Sequence, residues 1–251
     1  MDKNNKRTNW KTTDRRFVAF FDLLGFKDKV MRSSHEDIYA ELHKISIIRK
    51  NLETSVNEEI IQENFKDADI YIVSFSDSIV LFSKNDSVDN FKFFTLSLIA
   101  IFSNAIKNKI AIKGAVAHGM VSLNKTEQIY FGQPIIDAYL LEEDVNFLGI
   151  LCHNSIDKYL KNMKSSEFID ETYKFYETPL KYGSIKHYFI DYYHYIIDSK
   201  KKEESLESEE KYNNIINVFK DFYITVSGNP RRYIDNTIKF INKAKEQGKR
   251  I

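Results

Sequence analysis

Residues 20–26 read Phe-Phe-Asp-Leu-Leu-Gly-Phe and follow the apolar residues 17–19, Phe-Val-Ala. A continuous apolar run of this length predicts a buried central strand, and the run ends at Asp22. Gly25 then allows the backbone to turn closely without a Cβ in the way, so we expect a helix to begin near Phe26. The carboxylate of Asp22 is therefore predicted at the end of a strand, beside a tight turn and a helix N-terminus.

A second aspartate is predicted in a comparable position. Residues 70–73 (Ile-Tyr-Ile-Val) and 79–82 (Ile-Val-Leu-Phe) predict the two strands of a β-hairpin, and Asp77 lies at or beside its turn. Magnesium prefers oxygen ligands and is commonly held by one or two carboxylates together with substrate phosphates. Asp22 and Asp77 are therefore candidate metal ligands, although either residue alone has an adequate explanation as a helix cap or a turn residue.

The other helices and strands predicted between residues 15 and 155 follow one another in the order of a known sheet topology. They are helices over residues 36–52, 88–107 and from Pro134 through Glu142, and strands over residues 110–116, 128–131 and 148–152. Strand, helix, hairpin, helix, strand is the βαββαβ order of a ferredoxin-like sheet, in which the strands near Asp22 and Asp77 are neighbours. We expect an α+β fold with this core and a mostly helical C-terminal extension.

Three regions are expected along the chain. Residues 1–14 are a polar arm, residues 15–155 form the core domain, and residues 156–251 form an extension packed on it. Within the extension, we expect a tyrosine-rich hairpin over residues 181–197, a solvated charged run over residues 200–211, and amphipathic helices over residues 213–223 and 230–246.

Composition excludes several classes of protein. Among 251 residues, 37 Lys and Arg balance 36 Asp and Glu, so no basic field favours a nucleic-acid partner. Cys152 is the only cysteine, which rules out a disulfide framework or a thiolate metal cluster. No segment has the ~18 consecutive apolar residues of a membrane span, and the polar N-terminus is unlike a signal peptide. A cytoplasmic protein without a membrane span is expected.

At its two aspartates the chain resembles the catalytic domain of class III nucleotide cyclases. The first metal motif of that family, Phe-x-Asp-hydrophobic-x-Gly-Phe, is matched by Phe20, Asp22, Leu23, Gly25 and Phe26. The second metal aspartate of the family lies in a hairpin turn, as Asp77 is predicted to do. A small-residue strand over residues 113–119 and a Gly-x₅-Ala segment over residues 132–138 follow in the order of the family.

This resemblance implies a two-metal site that binds a nucleoside triphosphate. Asp22, Asp77 and the Leu23 carbonyl would hold two divalent ions, Mg²⁺ or Mn²⁺. The backbone amides of Leu24, Gly25 and Phe26, at a helix N-terminus, would face the phosphates of the substrate. Lys113 stands where related enzymes usually carry an arginine, so it is a third candidate catalytic residue beside the two aspartates.

The chain departs from the purine cyclases at the positions that read the base. Those enzymes place a Lys or Glu four residues before the second aspartate, where this chain has Val73, and a second base-reading residue near Ile129. Their helical Asn and Arg fall near Ile136 and Leu140. The pattern is similar to the bacterial pyrimidine cyclases of the Pycsar antiphage system, whose Ala-Tyr-x-Leu-Glu helix is matched by residues 138–142.

The resemblance implies conversion of UTP or CTP to the 3′,5′-cyclic monophosphate and pyrophosphate, with Val73 among the residues around the substrate. It also implies a homodimer with active sites at the interface, and a product that activates a separate effector protein. Two alternatives remain: a degenerate cyclase-like domain that binds nucleotide as a sensor or scaffold, and a palm-like nucleic-acid-processing domain. The near-neutral charge argues against the second alternative.

Overall fold

The structure is a computed structural model that describes residues 9–55, 59–163, 166–196, 208–224, 226 and 228–246. Within these residues eight strands form one sheet, in the order β2-β3-β1-β4-β6-β8-β7 with β5 paired to β4. The strands are β1 (Thr13–Leu23), β2 (Ile70–Phe75), β3 (Ser78–Ser83), β4 (Ile112–Asn124), β5 (Ile129–Phe131), β6 (Ile150–Cys152), β7 (Tyr173–Leu180) and β8 (Gly183–Ile190).

The helices of the described residues cover both faces of this sheet. They are α1 (Phe26–Arg32), α2 (His35–Ser55), α3 (Glu59–Asn64), α4 (Val88–Lys107), α5 (Gln133–Asp144), α6 (Asn154–Asn162), α7 (Glu167–Thr172), α8 (Ser208–Lys220) and α9 (Asn229–Glu246). None of them combines the length and the apolar composition that crossing a membrane requires.

Strand β1 lies in the middle of the core sheet, as its apolar sequence predicts. It pairs antiparallel with β3 on one side and with β4 along its whole length on the other. Phe17 and Phe21 are completely buried and contact α4 through Phe91 and Phe102. The side chain of Ser87 caps α4 by accepting a hydrogen bond from the Asn90 amide, so this helix begins where its sequence predicts.

The predicted fold class is confirmed. Strands β2, β3, β1 and β4 lie side by side in the order of a ferredoxin-like βαββαβ unit, with α4 crossing from β3 to β4. Helices α8 and α9 follow the core, as expected for a largely helical C-terminal extension.

The predicted position of the C-terminal hairpin was wrong. The hairpin consists of β7 and β8, which turn at residues 181–182, so the described part of the predicted range, residues 181–196, contains its second strand and not its first. Pro179 lies in β7 at the edge of the sheet, where a missing backbone donor is tolerated. Because β7 contains this proline and its apolar and polar residues alternate only weakly, the sequence did not predict the first strand of the hairpin. Of the other expectations, residues 1–8 of the arm and residues 200–207 of the charged run lie outside the described residues.

The C-terminal region is joined to the core by the sheet and by side chains. Strand β8 pairs with β6, which extends the same sheet to β7. The hydroxyls of Tyr192 and Tyr193 donate to the Leu148 carbonyl at 2.7 and 3.2 Å. On the other side, the Leu148 amide donates to Thr237 Oγ1 of α9 at 2.8 Å. The segment that leads into β6 is therefore fixed by residues far from it in sequence.

Asp191 carries a buried carboxyl group whose titration should affect stability. Burial raises its pKa to about 7, although the Tyr193 amide donates to it at 3.1 Å and the charges of Lys174 and Lys211 favour ionisation. His194 Nε2 lies 3.5 Å from its second oxygen. Because the pKa of the folded protein exceeds that of the unfolded chain, Asp191 stabilises the fold at low pH, and this contribution is lost as the pH rises through about 7.

We therefore expect Asp191→Asn to gain stability relative to the unmodified protein as the pH rises from 4 to 8. The gain is at most about 4 kcal/mol, since each pKa unit corresponds to about 1.4 kcal/mol, and asparagine keeps the acceptor for Tyr193. Urea unfolding at several pH values measures it, with Asp144→Asn, at an exposed position on α5, as the control for loss of a charge. A constant difference across this range would contradict the prediction.

Candidate functional site

The first part of the candidate site is the turn between β1 and α1. Asp22 is the penultimate residue of β1, and the Leu24 amide donates to the Ala111 carbonyl at 2.9 Å, which fixes the chain as it leaves the sheet. Gly25 has φ 75°, a conformation that residues with a Cβ rarely adopt, and α1 begins at the next residue. A Cβ built on Gly25 meets no atom within 4 Å. The side of Gly25 on which a side chain would stand is therefore open.

The second part is the two-residue turn between β2 and β3. Ser76 has φ 56° and is followed by Asp77, after which β3 begins at Ser78. Ser78 lies opposite Asp22 in the β1–β3 pairing. The Leu23 amide donates to the Asp77 carbonyl at 3.1 Å. The structure therefore brings the two aspartates, 55 positions apart in sequence, together at neighbouring strand ends, at one end of the β1 and β3 strands.

The surroundings of Asp22 are unfavourable for its negative charge. Burial, together with the nearby carboxylates of Glu142 and Asp77, raises the pKa of its carboxyl to about 7, while Lys113 opposes the shift. An adjacent divalent cation would reverse this balance, because it favours the ionised carboxylate. The Asp22 carboxyl is thus in an environment that a bound cation would relieve.

Lys113 lies directly beside Asp22 but is bound to another partner. It is opposite Asp22 in the β1–β4 pairing and only 4% exposed. Its Nζ forms an ion pair with Glu142 Oε1 at 2.7 Å and donates a hydrogen bond to the Glu142 carbonyl at 2.6 Å. Burial raises the pKa of Glu142, which Lys113 partly offsets. A direct contact between Lys113 and a substrate would therefore require Lys113 to share or leave this ion pair.

The close approach of β1 and β4 that places Asp22 beside Lys113 depends on a glycine. Gly114 lies opposite Phe21, and a Cβ built on it would lie 2.2 Å from the Phe21 ring and 2.8 Å from the Phe20 carbonyl. No side chain fits in that space, so Gly114 allows the bulky Phe21 to pack against β4 without separating the strands.

Helix α9 also reaches this part of the site. The Tyr233 ring centroid lies 5.8 Å from Lys113 Nζ. Burial raises the pKa of Tyr233, and the charges of Glu142 and Asp22 raise it further. Asn236, one turn along the helix, donates to the Asn146 carbonyl at 2.8 Å. The first turns of α9 are therefore held beside Lys113 and its buried ion pair.

The oxygen atoms at the two turns are suitable ligands for a hard divalent cation. Asp22, Asp77 and the Leu23 carbonyl offer oxygen atoms only, and oxygen is the ligand that Mg²⁺ and Mn²⁺ prefer. Within the described residues no group of three or more His, Cys, Asp or Glu side chains is arranged to hold a metal ion. A cation bound here would leave coordination positions for phosphate and water oxygens, as is usual for magnesium.

The phosphate-facing amides predicted from sequence are only partly available. The Leu24 amide is used by the Ala111 carbonyl, because it completes the exit of β1 from the sheet. The amides of Gly25 and Phe26 lie at the start of α1, where backbone donors have no partner within the helix. The structure therefore removes Leu24 as a phosphate donor and leaves Gly25 and Phe26.

The four positions that correspond by resemblance to the base-reading residues and the helical Asn and Arg of the purine cyclases are apolar, and all are at least partly exposed. Val73 on β2 is half-buried, while Ile129 on β5 and Ile136 and Leu140 on α5 are exposed. Phe20 shares a face of β1 with Asp22, because alternate residues of a strand point the same way. Tyr139 of α5 packs edge-on against Phe20 with ring centroids 5.2 Å apart. An apolar surface therefore adjoins the two aspartates.

The sequence of this chain matches no family model and no curated protein. Among solved structures, the chain is similar to the catalytic core of a rhodopsin-guanylyl cyclase with converted specificity, in complex with ATPαS. The TM-score is 0.51 at 17% identity, and the match covers 73% of this chain and 98% of that chain. The chain has a class III cyclase fold.

Two further cyclase structures match over similar lengths. A bacterial light-regulated adenylyl cyclase has a TM-score of 0.48 at 9% identity and covers 84% of this chain and 100% of its own. The guanylyl cyclase Cya2 has a TM-score of 0.44 at 10% identity and covers 73% of this chain and 93% of its own. At 17% identity the similarity to the rhodopsin-guanylyl cyclase core is one of fold, so the function of this chain depends on its own site.

Sequence reasoning missed two contributions to the site. Glu142 is predicted on a helix, but nothing in the sequence connects it to Lys113, 29 positions earlier. Tyr233 carries no sequence signal for the site. The signal near it, Pro230 followed by two arginines, indicates a helix start and nothing about what the helix contacts.

Proposed function

We propose that this chain is a nucleotide cyclase that converts a pyrimidine nucleoside triphosphate, UTP or CTP, to its 3′,5′-cyclic monophosphate and pyrophosphate. One observation carries the proposal: Asp22 and Asp77 lie at adjacent strand ends, beside the turn at Gly25 that leads into α1. Two carboxylates for metal ions and backbone donors for phosphates are the parts that phosphoryl transfer needs.

In this proposal Asp22, Asp77 and the Leu23 carbonyl hold two divalent ions, Mg²⁺ or Mn²⁺. When bound, such ions make the 3′-hydroxyl of the substrate a better nucleophile and neutralise charge on the departing pyrophosphate. The 3′-hydroxyl gives its proton to solvent, its oxygen forms a bond to the α-phosphorus, and the bond from that phosphorus to the bridging oxygen breaks as pyrophosphate leaves. The amides of Gly25 and Phe26 bind the phosphate oxygens, aided by the helix dipole.

Lys113 is proposed to act beside the metal-binding carboxylates. Its ammonium favours the ionised form of Asp22 and is itself held in place by Glu142. The Tyr233 ring lies 5.8 Å from the same ammonium. We therefore propose that Lys113 contributes positive charge to the site from a fixed position.

The pyrimidine preference is supported by the residues around the base. Val73 and Ile129 are apolar where the purine cyclases carry polar residues that read the base. An equimolar mixture of ATP, GTP, CTP and UTP with Mn²⁺, analysed by mass spectrometry, tests this preference. Cyclic UMP or cyclic CMP should dominate, whereas an equal yield of cyclic AMP would contradict the preference.

A second candidate function is nucleotide binding without turnover, as in a sensor or scaffold. It is favoured by two observations: Lys113 is engaged with Glu142, and the positions expected for the helical Asn and Arg carry Ile136 and Leu140. Nucleotide binding with no pyrophosphate release would support this function over the cyclase.

We further propose a homodimer with the active sites at its interface. Phe75 pairs with Ser78, which pairs with Asp22, so the three side chains share one face of the sheet. Phe75 is 83% exposed and Leu140 54% exposed. Exposed apolar surface of this kind next to a polar site is typical of an interaction surface.

Phe75→Arg is expected to convert the dimer to a monomer and to remove most cyclase turnover, because it places a charge in the apolar surface. Size-exclusion chromatography with light scattering measures the mass, and circular dichroism checks the fold. Tyr182→Arg is the matched control, since Tyr182 is 95% exposed at the β7–β8 turn, far from Asp22 in the sheet order. A fully active monomer would contradict this interface.

The cellular part of the proposal follows from the suggested product. A cyclic pyrimidine nucleotide made by a cytoplasmic enzyme would act as a second messenger and activate a separate effector protein, in defence against phage. Accumulation of the cyclic nucleotide after phage infection of cells that produce this protein tests this role.

A further inference from the structure

A cavity of about 370 Å³ lies between α2 and the face of the sheet opposite to Asp22. Its inner wall is apolar and is formed by residues of β1, α2, β2, α4 and β4: Leu23, Ile45, Ile72, Ile101, Ala105 and Ile112. Its volume is within the ~300–1,000 Å³ range of sites for small molecules. Apolar cavities are poorly hydrated, so an apolar group is the occupant that this wall favours.

The mouth of the cavity is polar and carries Arg49 of α2. Arg49 Nη1 donates to Ser74 Oγ on β2 at 3.0 Å. Its Nε is buried and has no hydrogen-bond partner among the described residues. A buried donor without a partner costs free energy, so an acceptor supplied by a ligand would be favourable here.

Arg49 has one carboxyl group near it on the same helix. Glu53 lies one turn further along α2; burial raises its pKa, and the charge of Arg49 opposes that shift. No ion pair joins Arg49 to a carboxylate of the residues that the structure describes. Arg49 is therefore suited to bind an anionic group at the mouth while the apolar wall holds the rest of the ligand.

The cavity lies directly behind both turns of the candidate site. Leu23, which lines it, is adjacent to Asp22, while Ser74 and Ser76 line it just before Asp77. Alternation along β1 places the Leu23 side chain on the face opposite to that of Asp22. An occupant would thus contact the residues that hold both aspartates, without entering the space in front of Gly25.

We propose that this cavity is a binding site for a small amphipathic anion, with an apolar chain held between α2 and the sheet and one carboxylate at Arg49. This site is separate from the proposed nucleotide site and goes beyond the proposed function. Its occupancy is measured by direct binding, so it can be tested whether or not the chain turns over a nucleotide.

Dodecanoate and dodecanol, which share an apolar chain and differ in charge, are suitable probes below the concentration at which dodecanoate forms micelles. Isothermal titration calorimetry should show that dodecanoate binds about tenfold or more tightly than dodecanol, the effect of one charge-assisted hydrogen bond. Arg49→Met should reduce dodecanoate affinity about tenfold or more and leave dodecanol affinity nearly unchanged. Lys50→Met, which removes an exposed charge from the neighbouring position of α2, should change neither.

A second variant tests the location of the chain. Ser46 of α2 lines the cavity, and Ser46→Phe should fill it and weaken binding of both probes. Circular dichroism checks the fold of this variant. The Arg49→Met variant tests the same site independently, because it changes the mouth of the cavity and not its apolar inner wall. The proposal is overturned if dodecanoate does not bind the unmodified protein, if both probes bind equally, or if Arg49→Met leaves dodecanoate affinity unchanged.

Discussion

Replacing either Asp22 or Asp77 by asparagine is expected to lower cyclic-nucleotide synthesis by about a thousandfold or more, because each change removes a carboxylate from the proposed two-metal site. The fold should be retained. Asp22 is partly buried and its charge is disfavoured in the free protein, so asparagine at this position should not lower the melting temperature. Coupled pyrophosphate detection measures the turnover.

Asp28→Asn is the matched control for these two variants. Asp28 is exposed in the first turn of α1, near the same loop, but it belongs to neither turn that carries the candidate ligands. Its replacement should leave turnover within a factor of about three, as is usual for a surface charge outside the site. Substantial turnover in Asp22→Asn or Asp77→Asn would refute the metal assignment.

The second large effect is expected at the buried pair of Lys113 and Glu142. Lys113→Met leaves the Glu142 carboxylate buried without its partner, which typically costs about 3–5 kcal/mol in the free energy of unfolding. Both side chains of the pair are more than nine-tenths buried, and their charged atoms lie 2.7 Å apart. Urea unfolding at pH 7 measures the loss.

The double variant Lys113→Met/Glu142→Met separates a structural role from a role in turnover. It removes both charges together, so most of the stability should return, as is often found when a buried pair is replaced by apolar residues. We expect this stable double variant to remain strongly impaired in turnover, because the positive charge beside Asp22 is gone. Turnover close to that of the unmodified protein would exclude Lys113 from the catalytic residues.

Much of the core was predictable because its signals are local. The apolar run before Asp22, the hairpin around Asp77 and the spacing of α4 each depend on residues within a short window, and the structure has these elements in the predicted order. The meeting of the two aspartates followed from topology, because a βαββαβ sheet places these strands side by side.

The remainder depended on contacts between distant residues. The Lys113–Glu142 pair joins a strand to a helix, and Tyr233 reaches Lys113 from a helix 120 positions later. Burial of a charged pair cannot be recognised from two separate polar letters in a sequence. The use of the Leu24 amide by the Ala111 carbonyl is hidden for the same reason, since backbone pairing across a sheet leaves no trace in residue type.

The position of the C-terminal hairpin illustrates a different difficulty. Its second strand ends next to a tyrosine-rich segment, and the tyrosines after Ile190 suggested strand structure by composition. In the structure Tyr192 and Tyr193 instead pack into the core and bind the Leu148 carbonyl. Aromatic residues are favoured both in strands and in a buried core, so composition alone did not decide between these placements.

The reaction itself is tested most directly by the products formed from UTP and from CTP in the presence of Mn²⁺. With at least one of the two, the purified protein should release pyrophosphate and 3′,5′-cyclic nucleotide in equal amounts. Detection of nucleotide binding, but of no cyclic product from UTP, CTP, ATP or GTP, would contradict the proposed cyclase and favour a nucleotide-binding sensor.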